Sequence, residues 1–467
     1  MKRSLLTLLA FFCFFPAALG AASSSAAEQV GQMARDLHEI AGMAGLSVAV
    51  SVHGKIVFAE GFGYADLEKK TPVTPNTQFR TASVVKVITA TALAKLHQQG
   101  KLDLDAPIGK YVPYFPDKEH TITPRQLAGH IAGFAHYSAQ DRIERRFYPS
   151  VKDALGVFQH KALIAAPGTG YQYSTHGFTL LSAVIEGASG TPFLQYMKEE
   201  VFEPLGMSST GPDLRARPGP EMSTLYSLRN GKLSKIENPE DPSYKWSSGG
   251  MVSTPSDLVR LAQAYRGGFL SAETVAMMFS SQKLSSGEET GVGIGWRIGA
   301  DRDGRKLIHH AGSMGGARSF VGLYPGHGVA VAVMTNTSWG SWIEQTAQML
   351  AWPFLDRQAA GSRLGDGEFQ ASGKLRDQEV SGTLLIESGS GRLVLRDQQG
   401  EGAERHFRIR RLGESRYALV SWAGILNLTV TSGTSGLELR AFSTEREMGH
   451  VKPSKDPVLS LVALPVG

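Results

Sequence analysis

The sequence predicts an α+β fold followed by a smaller all-β domain, and three observations carry that expectation. Two apolar strands lie near the N-terminus, three more cluster after residue 306, and helices with strong apolar spacing flank both sets. Beyond residue 364 the pattern changes to short alternating stretches punctuated by glycine and serine. At 467 residues the chain exceeds the usual size of a single core. One large domain over 28–357 and a smaller one over 364–467 are therefore expected.

Taken in order, residues 1–20 read as a secretory signal. Lys2 and Arg3 make its basic start, residues 5–15 its apolar core, and Ala18-Leu19-Gly20 a small-x-small cleavage site. That core is too short to span a bilayer comfortably, and no later stretch approaches the required length, so no stable membrane span is expected. Export to the periplasm or medium follows as the expected destination. Residues 21–27 read as a flexible lead. From 29 to 43, Val30, Met33, Leu37 and Ile40 fall on one helical face. Strands at 46–52 and 56–61 join at His53-Gly54 as a tight hairpin.

A helix is expected from about Thr81 to Gln98, ended by Gly100. Val84, Val85, Val87, Ile88, Leu93 and Leu96 make it apolar nearly all round, which marks a buried central helix. Further helices are expected at 124–130, 175–188, 192–201, 256–265 and 342–355. Strands are expected at 307–311, 318–324 and 329–335, separated by glycine-rich turns such as Pro325-Gly326-His327-Gly328. In the C-terminal part, 382–386, 392–396, 417–422 and 425–431 alternate as strands of a small all-β domain or incomplete barrel, and no catalytic feature stands out there.

Composition narrows the function classes. Hydrophobic residues make up 42% and charged residues 19%, which suits a globular chain. The formal charge of +5 falls by two without Lys2 and Arg3, and the basic residues form no run that would favour nucleic acid. Cys13 is the sole cysteine and lies in the leader, so disulfides, thiolate metal sites and cysteine catalysis are not expected in the remaining chain. No HExxH, paired carboxylate or phosphate-cradling loop occurs, and no metal or other cofactor is expected.

The chemistry concentrates at Ser83-Val84-Val85-Lys86, at the head of the apolar helix. A serine hydroxyl attacks poorly unless a neighbouring base takes its proton. Lysine three positions on lies one turn away on the same face. Burial in an apolar helix favours the neutral amine that such a base requires. A second S-x-x-K, Ser280 to Lys283, lacks that setting and reads as a surface turn. Tyr173-Ser174-Thr175 and His310-Ala311-Gly312 follow in order, and with Ser83 and Lys86 they outline a nucleophile, a proton-handling pair and a closing strand.

This ordered set, with Gly100 to Pro107, Arg125 to Gly133, Pro167 to Phe178 and Ser247 to Ser253 between its members, resembles the serine β-lactamase and penicillin-binding-protein group. The likeness is to its class C-like branch, which includes esterases and D-amino-acid peptidases, and it covers roughly residues 30–355. The stretches 171–186 and 241–254 are also similar to the mitochondrial serine β-lactamase-like branch, regarded as filament-forming serine proteases. The resemblance implies a β-lactamase/transpeptidase-like fold, with an antiparallel sheet flanked by helices and a helical subdomain. It implies that Ser83 is acylated, that Lys86 is its proton partner, and that Tyr173 is a second acid–base whose phenolate a nearby ammonium favours. It places Thr175, His310, Gly312 and Ser313 against the substrate, with the Ser313 N–H as second oxyanion donor.

Two departures matter. Thr175 stands for an asparagine and His310 for a lysine, and both weigh against an efficient β-lactamase while leaving serine hydrolysis intact. His130 reads as a hydrogen-bonding support near the site. The expected function is therefore an exported serine hydrolase acting through an acyl-enzyme on peptide, ester or β-lactam-like small molecules. The alternatives are a D-Ala-D-Ala carboxypeptidase or class C-like β-lactamase, and a low-turnover binding or assembly module on the same fold. Natural substrate and oligomeric state have no signature in the sequence.

Overall fold

A computed structural model describes residues 17–139, 141, 145–214, 219, 221–339, 342–355, 365–387, 390–397, 403–412, 416–433 and 436–466. The apolar core of the expected leader lies outside the described residues. A helix, α1, runs Ala17–Ala41. It takes in 21–27, where a flexible lead is expected, because the alanines there propagate helix into the amphipathic segment that follows.

The body is built on an antiparallel sheet. Its strands are β1 (Gly45–Val52), β2 (Lys55–Asp66), β3 (Thr71–Pro72), β4 (Arg297–Ala300), β5 (Lys306–Met314), β6 (Ala317–Tyr324) and β7 (Val329–Thr335). They lie in the order β3-β2-β1-β7-β6-β5-β4. The chain leaves the sheet after β3 and returns at β4, so most of the helices form an insertion between its two halves. Side-chain alternation sends Leu46, Val48, Val50, Phe320, Val331 and Val333 to one face, against α1 and a late helix over Ile343–Ala351. The other face presents Ala49, Ile308, Val321, Ala330 and Ala332 to the helical insertion.

At the centre of that insertion lies α2, Val85–Gln98, buried from Val85 to Ala94 and again at Leu96. It packs against α3 (Thr175–Ser189), itself buried from Thr175 to Ile185. The late helix, labelled α4 hereafter, is shorter than the expected 342–355, its last residues tightening into a 3-10 turn at Trp352–Phe354.

The C-terminal part is a closed barrel rather than an open one. Its strands are β8 (Gly367–Leu375), β9 (Gln378–Glu387), β10 (Ser390–Asp397), β11 (Arg405–Arg411), β12 (Arg416–Ser421), β13 (Gly424–Ser432) and β14 (Leu437–Phe442). Leu459–Pro465 closes it by pairing with both β8 and β14, which removes the exposed edges of an open sheet. Between β14 and the closing strand projects a hairpin, Thr444–Glu447 paired with His450–Pro453. The barrel docks on the body through Leu412, Ala418, Val420 and Ile425, which share one apolar cluster with Val30, Met33 and Leu37 of α1. Arg410 clamps Asp36 across that contact with bonds of 2.6 and 2.9 Å. Among the described residues, no helix is long and apolar enough to cross a membrane.

Candidate active site

Ser83 lies in a single tight turn, Ala82–Val84, that leads into α2. This turn replaces the expected helix start at Thr81, because Ala82 holds a φ of 44°, which no right-handed helix contains. Such a conformation costs a residue about 1–3 kcal/mol and persists only where its flanks are held. Thr81 donates to the Met251 carbonyl from its N–H at 2.9 Å and its hydroxyl at 2.8 Å. The Ser319 hydroxyl donates to the Thr81 carbonyl, and buried Arg80 meets Asp213 at 2.5 Å just behind. At Gly312, β5 crosses directly over the turn. A Cβ there would stand 2.5 Å from the Thr81 carbonyl oxygen and 3.0 Å from the Ser83 nitrogen. Glycine is required for that approach, and the approach brings the Ser83 N–H beside the strand that carries Ser313.

Lys86 is fully buried one turn further on. Its Nζ lies 3.3 Å from Ser83 Oγ and donates to the Ser248 carbonyl at 2.5 Å. The Tyr173 and Phe178 rings stand 5.1 and 5.6 Å from the same nitrogen. Burial first, then the charges of Lys245 and Arg297, hold its pKa well below the ordinary lysine range.

Tyr173 sits on the loop before α3, and His130 positions that loop. The Ser174 N–H donates to His130 Nδ1 at 3.2 Å, and the Gln172 N–H donates to the His130 carbonyl at 2.7 Å. The His130 ring packs 4.4 Å from that of Tyr173. His130 takes a φ of 61°, which is why the short helix Pro124–Ala128 stops before it. Burial, then Lys86, hold this imidazole far below its usual pKa. Tyr173 itself departs from expectation. Burial raises the phenol above its ordinary pKa, against the opposing pull of Arg297, a hydrogen bond with Ser83, and Arg446. Lys86 Nζ lies 5.1 Å from the ring, but burial lowers the pKa of that amine as well, so the ammonium that would favour a phenolate is itself disfavoured.

The structure separates the remaining sequence-derived residues. Gly312 and Ser313 line a cleft of about 680 Å³ together with Ser83 and Tyr173. His310 and Thr175 lie behind its wall, 1% and 2% exposed. Strand alternation turns His310 inward, its ring centroid 6.3 Å from that of Tyr173 and its Nδ1 2.8 Å from the Ala311 carbonyl. Burial, then Arg297 and Lys86, push its pKa well below the imidazole range. It therefore supplies no positive charge to a substrate near neutral pH. Thr175 opens α3 and gives its backbone N–H to His136 Nδ1 at 3.2 Å. The second S-x-x-K is a surface feature: Ser280 bonds the Ala276 carbonyl and Lys283 pairs with Glu289 in solvent.

Sequence reasoning misses three arginines that wall the cleft, Arg297, Arg318 and Arg446. Arg297 has a readable cue, since it interrupts the run Val292-Gly-Ile-Gly-Trp-Arg-Ile298 much as Lys86 interrupts its helix. Its guanidinium stands 5.4 Å from the Tyr173 ring. Arg446 comes from the barrel's hairpin and has no cue at all. Among the described residues, no group of His, Cys, Asp and Glu is arranged to hold a metal ion.

Comparison with known proteins places these features in context. The Beta-lactamase family model matches residues 30–351. Serine beta-lactamase-like protein LACTB, mitochondrial, of Homo sapiens is 30% identical over 394 residues, which cover 63% of this chain and 72% of that protein. The octameric penicillin-binding protein homologue from Pyrococcus abyssi superposes with a TM-score of 0.59 at 22% identity, over 90% of this chain and 98% of its own. That likeness of fold extends into the C-terminal barrel. A D-stereospecific amidohydrolase from Streptomyces sp. superposes with a TM-score of 0.57 at 22% identity, over 67% of this chain and 95% of its own.

Proposed function

We propose that this chain, which belongs to the Beta-lactamase family of serine hydrolases, is an exported enzyme that opens peptide or ester bonds through an acyl-enzyme on Ser83. One observation carries the reading: a fully buried Lys86 whose pKa is driven far down places Nζ 3.3 Å from Ser83 Oγ. A neutral amine at that distance accepts the Ser83 proton as Oγ bonds to the substrate carbonyl carbon. The backbone N–H groups of Ser83 and Ser313 receive the oxyanion. Tyr173, protonated at rest, gives its proton to the departing nitrogen or oxygen as that bond breaks. The resulting phenolate then takes a proton from the incoming water. Lys86 returns its proton to Ser83 Oγ as the acyl group leaves, which restores every group.

The raised phenol and the lowered amine favour this division of labour, with lysine as base and tyrosine as acid. Export rests on the leader-like composition of residues 1–20. A panel of esters, D- and L-peptides and β-lactams, read by intact mass on protein recovered outside the cytoplasm, tests the proposal. The expected result is a chain shortened at Ala18-Leu19-Gly20 that gains one acyl group, with no gain on Ser83→Ala. An adduct that persists on Ser83→Ala would overturn the assignment, and a retained leader would overturn export. Lasting penicillin adducts with no ester turnover would move the reading to a penicillin-binding carboxypeptidase.

A further inference from the structure

At the end of the sheet remote from Ser313, the strands and the helical insertion part around a cavity of about 500 Å³. Its floor is a row of paired residues across three strands, Ser51 of β1, Ala330 of β7 and Leu323 of β6. Val275 and Phe279, in and just after the helix Ala272–Met278, close it from the insertion side. The cavity shares no lining residue with the catalytic cleft. Along β6, Leu323 lies five positions beyond the cleft residue Arg318, about 17 Å at the rise of an extended strand. Its size falls within the roughly 300–1,000 Å³ of sites that take small organic ligands.

Two turns outside the catalytic machinery build the mouth. The hairpin between β1 and β2 turns at His53, whose φ is 49° and whose N–H donates to the Gly328 carbonyl at 2.8 Å. Gly328, in the turn between β6 and β7, has a φ of 65°, and a Cβ there would collide with the Arg266 guanidinium and the His53 ring. Glycine alone admits that guanidinium to the mouth. Arg266 Nη1 donates to His53 Nδ1 at 3.1 Å, an uncharged acceptor, and Gln263 Nε2 donates to the Gly54 carbonyl at 3.0 Å.

Charge at this mouth is one-sided. Arg266 and Lys55 line it, and no acidic side chain does. Ser51, two residues inside the His53 turn, is 3% exposed, and among the described residues its hydroxyl has no hydrogen-bond partner. A buried donor left without a partner is costly, and a ligand oxygen would relieve that cost. Deeper in, Leu323, Ala330, Val275 and Phe279 offer only apolar surface.

We infer that this cavity is a binding site for a monocarboxylate with an apolar tail, of the fatty-acid class, with Arg266, Lys55 and Ser51 meeting the carboxylate and the tail lying over Leu323 and Ala330. The inference goes beyond the serine-hydrolase reading and does not rest on it. A guanidinium presents a planar pair of donors that matches a carboxylate, and the tail adds affinity by leaving water. Each methylene buried should tighten binding about fourfold, until the cavity is full.

Calorimetric titration of the full chain carrying Ser83→Ala with decanoate and with decanol, both below their micellar range, tests the site. We expect decanoate to bind more tightly than decanol and more tightly than hexanoate. Arg266→Gln, at an exposed position, should weaken decanoate about three- to tenfold and leave decanol unchanged. Ala330→Leu, which narrows the cavity, should weaken both ligands. A decanoate bearing a diazirine should label peptides within 262–279 or 323–330. On the Ser83 background, Arg266→Gln should leave hydrolysis of a short ester unchanged, because Arg266 lines no part of the cleft. Absence of binding, equal affinity for decanoate and decanol, or an Arg266→Gln titration identical to its parent would overturn the inference. Labelling confined to the catalytic cleft or to the barrel would overturn it as well.

Discussion

Inside the body, Lys86, His130, His310, Arg80 and Asp213 are all 3% exposed or less, whereas the barrel encloses Val380, Leu384, Leu393, Leu419 and Leu428. Among the described residues, no charged side chain is buried within that barrel core. The body thus carries groups whose ionised forms are penalised by several kcal/mol each in a low-dielectric interior. Arg80 and Asp213 offset that penalty by pairing, whereas at Lys86 and Tyr173 burial lowers the pKa of the amine and raises that of the phenol. The barrel has no such burden and behaves as an ordinary apolar closure. Among the described residues, it lines the cleft through Arg446 and Met448 of its hairpin. Buried charge is therefore concentrated in the body, while apolar packing stabilises both parts of the chain.

Lys86→Met is the sharpest way to break this contrast. Removal of the base should slow acyl transfer about 10²–10⁴-fold in steady-state ester hydrolysis. Thermal unfolding should show stability unchanged or raised, because methionine fills the site without a charge to desolvate. The pH dependence follows from the same shift. Between the lowered folded pKa of Lys86 and the unfolded value of about 10.4, the unfolded chain binds more protons. Stability of the wild type relative to Lys86→Met should therefore rise with pH across that window. A difference that stays flat, or falls, would mean that the lysine remains charged in the fold.

Legibility divides along the same line. Where burial is apolar and periodic, the sequence announces it: the all-round apolar face of α2, the alternation of β5 to β7, and the punctuated strands of the barrel. The S-x-x-K step is legible because a lysine in that helix has no solvent to reach. Three things are not. The left-handed Ala82 arises from contacts with Met251 and Ser319, more than 160 positions away, and leaves no local mark. The inward turn of His310 depends on strand register. The hairpin bearing Arg446 reads Thr-Glu-Arg-Glu-Met-Gly-His, a polar run whose partner Glu344 lies 102 positions earlier. Closure of the barrel is missed for a related reason, since β8 and the closing strand pair from opposite ends of the domain.

Leu384→Ala tests the barrel's half of the contrast. Leu384 is fully buried among Val380, Leu393 and Leu395, so truncation should cost about 2–5 kcal/mol through lost transfer energy and a residual cavity. Denaturant unfolding measures the loss. Below the transition, acylation of Ser83 by an activated ester should proceed at the wild-type rate, because Leu384 touches no group at the site. A slowed acylation in the folded variant would show that the barrel core and the catalytic turn are coupled beyond the hairpin.

The smallest expected effect lies where stability and chemistry meet, at Ser174. Its hydroxyl accepts the Gly177 N–H at 3.0 Å, capping α3, and donates to the Ala135 carbonyl at 2.9 Å. Ser174→Ala removes one cap and leaves a carbonyl less satisfied, which should cost about 1 kcal/mol in denaturant unfolding. Tyr173 immediately precedes it, and the loop is held also by the bond from the Ser174 N–H to His130, which the substitution leaves in place. Two anchors of unequal kind thus bear on one phenol. If the backbone bond dominates, the stability loss should come with less than about a threefold change in kcat, within the kinetic equivalent of 1 kcal/mol. A much larger fall in kcat at the same stability would place the positioning of Tyr173 in the cap and not in His130.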